Sequence, residues 1–420
     1  MLNKGLNYSP IFTYINRLKS TMKKSLIVFI LMNVSTVYAQ KFEGLALTPP
    51  MGWNSWNTFA VKINEQLVKD IADQMVASGM KDAGYEYLVL DDAWMAKERD
   101  AQGNLVTDPK RFPDGIKAVS DYVHAKGLKF GLYNCAGTKT CAGYPGTRGY
   151  EYQDARQYAA WGVDYLKYDW CNTQGLTAKE AYTTMSKAIK AAGRPMIFSL
   201  CEWGSNKPWE WAAPVGQLWR TTTDITNSFS ISKKYGNWEP FTVMRIIDLQ
   251  NDIRKYAGPD HWNDPDMLEV GNGMSTSEDR AHFSMWCMLA APLIAGNDLR
   301  KMTPQTNAIL TNKDIIAIDQ DSLGVEGYRY SQKDSVDTWV KPLKNGLAIC
   351  FLNRSLKPQT VEFKWADNPL KDDVSGMNVD FNAAAYKVRD VWAKKDLGKT
   401  GKTFKQEIPS HDVVVLRLSK

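Results

Sequence analysis

Val163 to Cys171 reads VDYLKYDWC, an apolar run with the alternation of a strand that ends abruptly in a lysine, an aspartate and a cysteine, with Asp169 at its tip. The same design recurs along the chain. YEYLVLDDAW (85–94) ends on Asp91 and Asp92, MIFSLCEW (196–203) on Glu202, and QLWRTTTDI (217–225) on Arg220 and Asp224. A charged side chain at a strand tip is a candidate for chemistry, and four such tips imply one shared mouth.

Working outward, short strand-like runs alternate with amphipathic helical stretches from residue 45 to about 325, the signature of repeated βα units. The strand candidates are PMGWN (50–54), YEYLVLD (85–91), LKFGLYN (128–134), VDYLKYD (163–169), MIFSL (196–200), QLWRT (217–221), a weak one in HWNDPDM (261–267), and MLAAPLIAG (288–296). Between the first two, INEQLVKDIADQMVASGMKDAG (63–84) places Ile63, Leu67, Ile71, Met75 and Met80 on one face of a helix that stops at Gly84. Eight strands with eight helices predict a closed (β/α)8 TIM barrel over residues 40–325, whose functional face is the carboxyl ends of its strands.

After residue 326 the texture changes to short alternating segments with no helix signal: VDTWVKPL, GLAICFLN, QTVEFKW, YKVRDVW, TFKQEI and HDVVVLRL. They predict a C-terminal antiparallel β-sandwich over residues 326–420.

The 420 residues, 44% hydrophobic and 23% charged, suit a soluble globular protein large enough for two domains. A net charge of +6 with no basic run interleaved with aromatics gives no support to nucleic-acid binding. Lys23 and Lys24 precede the apolar stretch SLIVFILMNV, and Val37, Tyr38 and Ala39 form a small-residue cleavage site. Residues 1–39 therefore read as a secretory signal peptide, with 1–21 as an over-extended start before Met22. The stretch is too short for a membrane span, so the expected mature protein is exported, periplasmic or secreted, and free of the membrane. Export permits disulfides among the six cysteines, 135, 141, 171, 201, 287 and 350. Cys287 and Cys350, in apolar runs, read as buried thiols. A Cys141–Cys171 bridge would close a loop of about thirty residues, nominally worth ~3 to 4 kcal/mol, but spacing alone leaves other pairings open.

Two facing carboxyl groups are the equipment of glycoside hydrolysis: one attacks, the other protonates the leaving oxygen. Asp169 and Asp224 are the expected pair. Lys167 and Asp169, two positions apart, share one side of the strand, and the cation is expected to keep Asp169 ionised. The charge of Asp169 would in turn hold a proton on Asp224 until the first step removes it. The competing explanation for each acid alone is helix capping in the loop after its strand. Trp56, Trp170, Trp203 and Trp219 lie beside these acids, and aromatic faces suit the apolar side of a sugar ring, although core packing explains any one of them equally well. The four histidines, 124, 261, 282 and 411, form no H-x-H or H-E-x-x-H spacing, which argues against a catalytic metal. No G-x-S-x-G elbow appears. The expectation is no metal and no cofactor.

The chain resembles glycoside hydrolase family 27, the retaining α-galactosidases and α-N-acetylgalactosaminidases, from about Leu45 through Gly327. The blocks that carry the resemblance are TPPMGWNSWN, LDDAWM, TCAGYPGTRGYE, WGVDYLKYDWC, SLCEWG, WRTTTDI, WNDPDMLEVGN and AAPLIAGNDLR. The resemblance implies Asp169 as nucleophile and Asp224 as acid/base. It puts sugar-binding roles on Trp56, Asp91, Asp92, Lys167, Glu202 and Arg220, with Tyr133 in the wall. Where relatives accept N-acetylgalactosamine, small residues leave room for the acetamido group; Glu202 fills that place here and would accept from a free 2-hydroxyl. A minor branch that cleaves β-L-arabinopyranosides differs at the paired acids after the second strand, and Asp91 with Asp92 keeps the galactose pattern. The resemblance also implies a Cys141–Cys171 disulfide. Cys135 departs from relatives with aspartate there, leaving it free or paired with Cys201. The activity implied is removal of terminal α-D-galactose from oligosaccharides, galactomannans or glycoconjugates. The rival is a glycan-binding protein that has kept the barrel and lost the chemistry, since fold does not guarantee function; the presence of both acids speaks against it.

Overall fold

All eight barrel strand candidates are strands of a single parallel sheet in the computed structural model, which describes residues 40–420. They are β1 (Met51–Asn54), β2 (Tyr87–Leu90), β3 (Lys129–Cys135), β4 (Tyr165–Asp169), β5 (Ile197–Cys201), β6 (Leu218–Arg220), β7 (Trp262–Asp264) and β8 (Leu293–Ala295). The order runs β7-β6-β5-β4-β3-β2-β1-β8. Between β7 and β8 the ladder shrinks to one parallel bridge from Leu268 to Ala295, with Leu268 N donating to Ile294 O at 2.8 Å. Pro265 has no N–H to offer there and Asp266 turns the chain at φ 94°, so β7 cannot continue into the seam. The curled sheet is a (β/α)8 barrel. The expected signal peptide lies outside the described residues.

Alternation along each strand sorts side chains into two cores. In β4, Leu166 and Tyr168 join the large outer core beneath the helices. Tyr165 joins an inner plug with Tyr87, Val89, Ile197, Leu218 and Trp262. Lys167 and Asp169 share the parity of Tyr165, so they rise above that plug toward the carboxyl end of the barrel. An apolar floor thus lies under a polar mouth.

Two local expectations change. The helix expected over 63–84 is two: Glu65–Ala77, capped by the Asn64 side chain, and Met80–Ala83, separated by Gly79 in the left-handed region at φ 81°. The helical spacing survives because Gly79 breaks the backbone without rotating the apolar face away; Met75 and Met80 are both fully buried. The eight-helix expectation also fails once. Between β5 and β6 there is no α-helix, only the 3-10 turn Pro208–Glu210, because EWGSNKPWEWAAPVGQ carries Gly, Asn and Pro where a helix needs an unbroken period.

The C-terminal segment is antiparallel throughout. Six strands, Tyr328–Lys333, Val336–Leu343, Gly346–Asn353, Lys387–Asp390, Lys395–Lys399 and Val413–Ser419, make the main sheet. Gln359–Phe363 pairs with Phe404–Ile408, and Leu370–Asp372 with Met377–Val379. Phe351 of the main sheet stacks on Phe404 of the smaller one at 5.5 Å, joining the layers over a core that includes Phe363 and Trp365. The barrel helix Thr276–Met288 packs against this segment, with Trp392 donating to Ser284 at 2.9 Å and Arg280 paired with Asp412.

Candidate active site

At the carboxyl ends of the barrel strands a cavity of about 570 Å³ opens, lined by Asp91, Asp92, Lys167, Asp169, Arg220 and Asp224 among others. Tyr133 and Trp56 also line it. Of the nine residues to which the family resemblance assigned catalytic or sugar-binding roles, eight line this space.

Asp169 ends β4 on the inner face and is 6% exposed. Its Oδ1 accepts the Trp170 N–H at 2.8 Å and its Oδ2 accepts the Tyr133 hydroxyl at 2.8 Å. Burial pushes its pKa up to about 6; Lys167 and these two hydrogen bonds pull against that, while Asp224 adds to it. The group is therefore ionised at neutral pH despite its burial, held there by its donors.

Lys167 does not bond to Asp169. Its Nζ donates to Asp91 Oδ2 at 2.8 Å. The same oxygen accepts from Asn54 Nδ2 at 2.7 Å, and Asp91 Oδ1 accepts the Asp92 N–H at 2.8 Å. Burial works against the ammonium charge, and Asp91 overrides it to leave the Lys167 pKa above the ordinary lysine value. Asp92 accepts from the backbone N–H groups of Ala93 and Ala142, at 2.6 and 2.8 Å. Burial raises its pKa.

On the far side, Arg220 Nη2 bridges Asp266 Oδ2 at 2.7 Å and Asp224 Oδ1 at 3.1 Å. The side chain of Asp224 is 42% exposed where that of Arg220 is 4%, so solvent reaches the outer acid and not the guanidinium. Asp266 and its neighbour Met267 line the cavity and were not identified from sequence as site residues. Their signal was available in WNDPDMLEVGN, where an acid two positions after β7 repeats the pattern of the other tips.

The residue not brought to the cavity wall is Glu202. Cys201 and Trp203 line it, while Glu202 between them is fully buried. Parity explains this: Cys201 is the inward residue at the end of β5, so the next side chain points away. Glu202 Oε2 accepts from Asn206 N and Nδ2 at 2.7 and 2.6 Å, and Oε1 has no partner among the described residues. Burial lifts its carboxyl to about 7, with the Asn206 bonds opposing.

The four tryptophans divide. Trp56 and Trp203 line the cavity. Trp219 is core, its Nε1 donating to Asn263 at 2.8 Å, and Trp170 stacks on Tyr182 at 5.5 Å outside the cavity wall. Trp203 at φ 59°, Asp266 at φ 94° and Ala60 at φ 45° all line the cavity with left-handed backbones, a conformation worth roughly 1 to 3 kcal/mol of local strain that persists where surroundings over-determine it.

Cys141 and Cys171 are joined in a disulfide spanning 30 residues. Gly137 makes the approach possible, because a Cβ there would lie 2.0 Å from Cys171 O. Cys141 Sγ lies 3.2 Å from Asp169 Oδ2; a bridged sulfur carries no proton, so this is a contact rather than a donation. The trio Cys141, Asp169 and Cys171 has the closeness of a metal site, but its sulfurs are spent in the bridge and offer no thiolate. Cys135 and Cys201 are separate buried thiols, register partners of Asp169 on β3 and β5. Their strands hold them apart, with β4 between.

Residues 48–321 match the family described as Alpha galactosidase A, and residues 333–418 match the Alpha galactosidase C-terminal beta sandwich domain. The chain is 53% identical to Alpha-galactosidase A of Cellvibrio japonicus over 382 residues, 91% of this chain and 94% of that one. Among solved structures, α-galactosidase I from Mortierella vinacea has a TM-score of 0.83 at 37% identity, covering 89% of this chain and 98% of that one. An α-galactosidase from Saccharomyces cerevisiae, solved with raffinose, has a TM-score of 0.81 at 30% identity, covering 89% and 98%.

Proposed function

The chain belongs to glycoside hydrolase family 27 and is an α-galactosidase, hydrolysing α-galactosides; from that premise we propose the roles of its residues. Asp169 is the nucleophile and Asp224 the acid/base. Asp169 attacks the anomeric carbon of a terminal α-galactosyl group while Asp224 delivers a proton to the departing oxygen. A galactosyl ester on Asp169 results, with the configuration inverted. Water, deprotonated by Asp224, then attacks the ester carbon from the other face and restores the α configuration.

The observation that carries this reading is the pairing of environments: Asp169 is buried and fixed by Tyr133 and the Trp170 N–H, while Asp224 stands partly in solvent against Arg220. A fixed anion suits attack; a group open to water suits proton exchange. Asp91 and Asp92 accept hydrogen bonds from galactose hydroxyls, Lys167 and Arg220 donate, and Trp56 and Tyr133 bound the ring. Glu202 is the acceptor for the 2-hydroxyl. Support for that role is its partnerless Oε1, since a buried carboxylate oxygen left unpaired costs about 1 to 3 kcal/mol unless something fills it. Contact requires the carboxylate to turn past Cys201 toward the cavity.

Residues 40–325 form the catalytic domain in this reading, 326–420 a sandwich domain, and 1–39 an export signal. No helix among the described residues is long and apolar enough to cross a membrane. Substrates are galactosyl oligosaccharides of the raffinose type, galactomannan branches or glycoconjugates. The test is azide rescue. With an activated α-galactoside, Asp169→Ala and azide should yield β-galactosyl azide, and Asp224→Ala the α anomer. The same anomer from both variants would overturn the assignment.

A further inference from the structure

We infer that Tyr235 and Trp238 form a platform for the leaving group, selecting α-galactosides whose galactose is attached to another pyranose. This rests on Asp224 being the acid/base. Both aromatics line the active-site cavity, yet Tyr235 is 55% and Trp238 46% exposed. They stand at the tip of a hairpin, where Tyr235 and Trp238 exchange backbone bonds of 2.8 and 3.2 Å around Gly236, at φ 64°, and Asn237. Their rings lie 5.6 Å apart at 39°.

The root of this hairpin is Asp224 itself. Phe241 N donates to Asp224 O at 2.8 Å, Ile225 and Phe241 form a parallel bridge, and the Arg245 guanidinium covers the Phe241 ring at 3.6 Å. A proton donor to the glycosidic oxygen necessarily stands on the leaving-group side of the bond. A projection built on that donor therefore overhangs the departing sugar, not the galactose held by Asp91 and Lys167.

Cross-strand packing accounts for one face of each ring. It leaves the other faces in the open mouth, and exposed aromatic surface continuous with a binding cleft marks a contact site. A pyranose presents an apolar face of C–H groups to such a ring. Contact energy there raises kcat/KM for substrates that carry the second sugar and does nothing for those that lack it.

The experiment compares an α-galactosyl manno-oligosaccharide with α-galactosyl fluoride, whose leaving group has no ring. Trp238→Ala should lower kcat/KM about tenfold on the oligosaccharide and leave the fluoride unchanged, with Trp238→Phe restoring most of the loss and Tyr235→Ala giving a smaller one. Equal effects on both substrates, or none on either, would overturn the platform. Failure of the wild type to hydrolyse the fluoride would instead overturn the α-galactosidase mechanism on which it rests.

Discussion

Lys167 reaches from β4 over β3 to Asp91, Nζ to Oδ2 at 2.8 Å, and so couples two tips of the barrel mouth without touching Asp169. Its influence on Asp169 is through space, and it lowers that carboxyl's pKa. Wild-type kcat/KM should lose activity as pH falls through about 6, when Asp169 takes up its proton. Lys167→Met should move that acidic limb upward and reduce kcat/KM by about 100-fold or more, since it strips a buried pair of one partner. A limb that stays in place in the variant would show that Lys167 does not tune Asp169.

Asp169→Asn should abolish turnover and raise stability at neutral pH. The Asp169 pKa stands at about 6 in the fold against an ordinary 3.8. The native state therefore holds this proton more tightly, and the stability it confers is full below about pH 4 and lost as pH rises through 6. The asparagine removes the buried anion and should gain about 1 to 3 kcal/mol at pH 7. Denaturation curves for the two proteins should converge near pH 4, and a less stable variant at pH 7 would refute the account.

Replacing Cys141 and Cys171 together by serine should lower stability by about 3 kcal/mol, the worth of closing a loop of that length. It should also lower kcat/KM, because Cys141 lies against Asp169 Oδ2. In the unreduced wild type, four thiols should react after denaturation and none promptly before, because Cys135, Cys201, Cys287 and Cys350 are all buried. Two reactive thiols after denaturation would mean that Cys135 and Cys201 pair after all.

Glu202→Ser should raise activity on α-N-acetylgalactosaminides and lower kcat/KM on α-galactosides by about 10 to 100-fold, the loss of one charged hydrogen-bond acceptor. An unchanged ratio between the two substrates would show that Glu202 stays turned into its own loop toward Asn206.

Strands whose inward and outward residues differ in chemistry were legible: VDYLKYDWC showed its parity, its tip and its direction. The strand Lys395–Lys399 was not, since all five residues are exposed and no alternation distinguishes them from a loop. The break at Gly79 was hidden because the apolar spacing runs through it. Asp266 was missed because β7 is the weakest strand signal and the acid stands two residues beyond its end, past Pro265 and in the left-handed region, so its place at a tip is visible only once β7 is located. Trp170 and Trp219 misled for the opposite reason: adjacency in sequence to a charged residue at a strand tip, Asp169 for one and Arg220 for the other, puts the ring on the other face. The same parity turns Glu202 away from the wall.

The single Leu268–Ala295 bridge gives the cylinder a seam, and a seam gives it a place to open first. Asp266 lies in the segment that forms it, and Asp266 holds Arg220, which holds Asp224. On heating, the proton-transfer side of the mouth should lose its alignment while the longer β3–β4 ladder, with Asp169 at its end, is still intact. Activity should then fall at a lower temperature than far-UV circular dichroism does, and return on cooling from that point by closing one bridge; coincident loss of the two signals would refute this order.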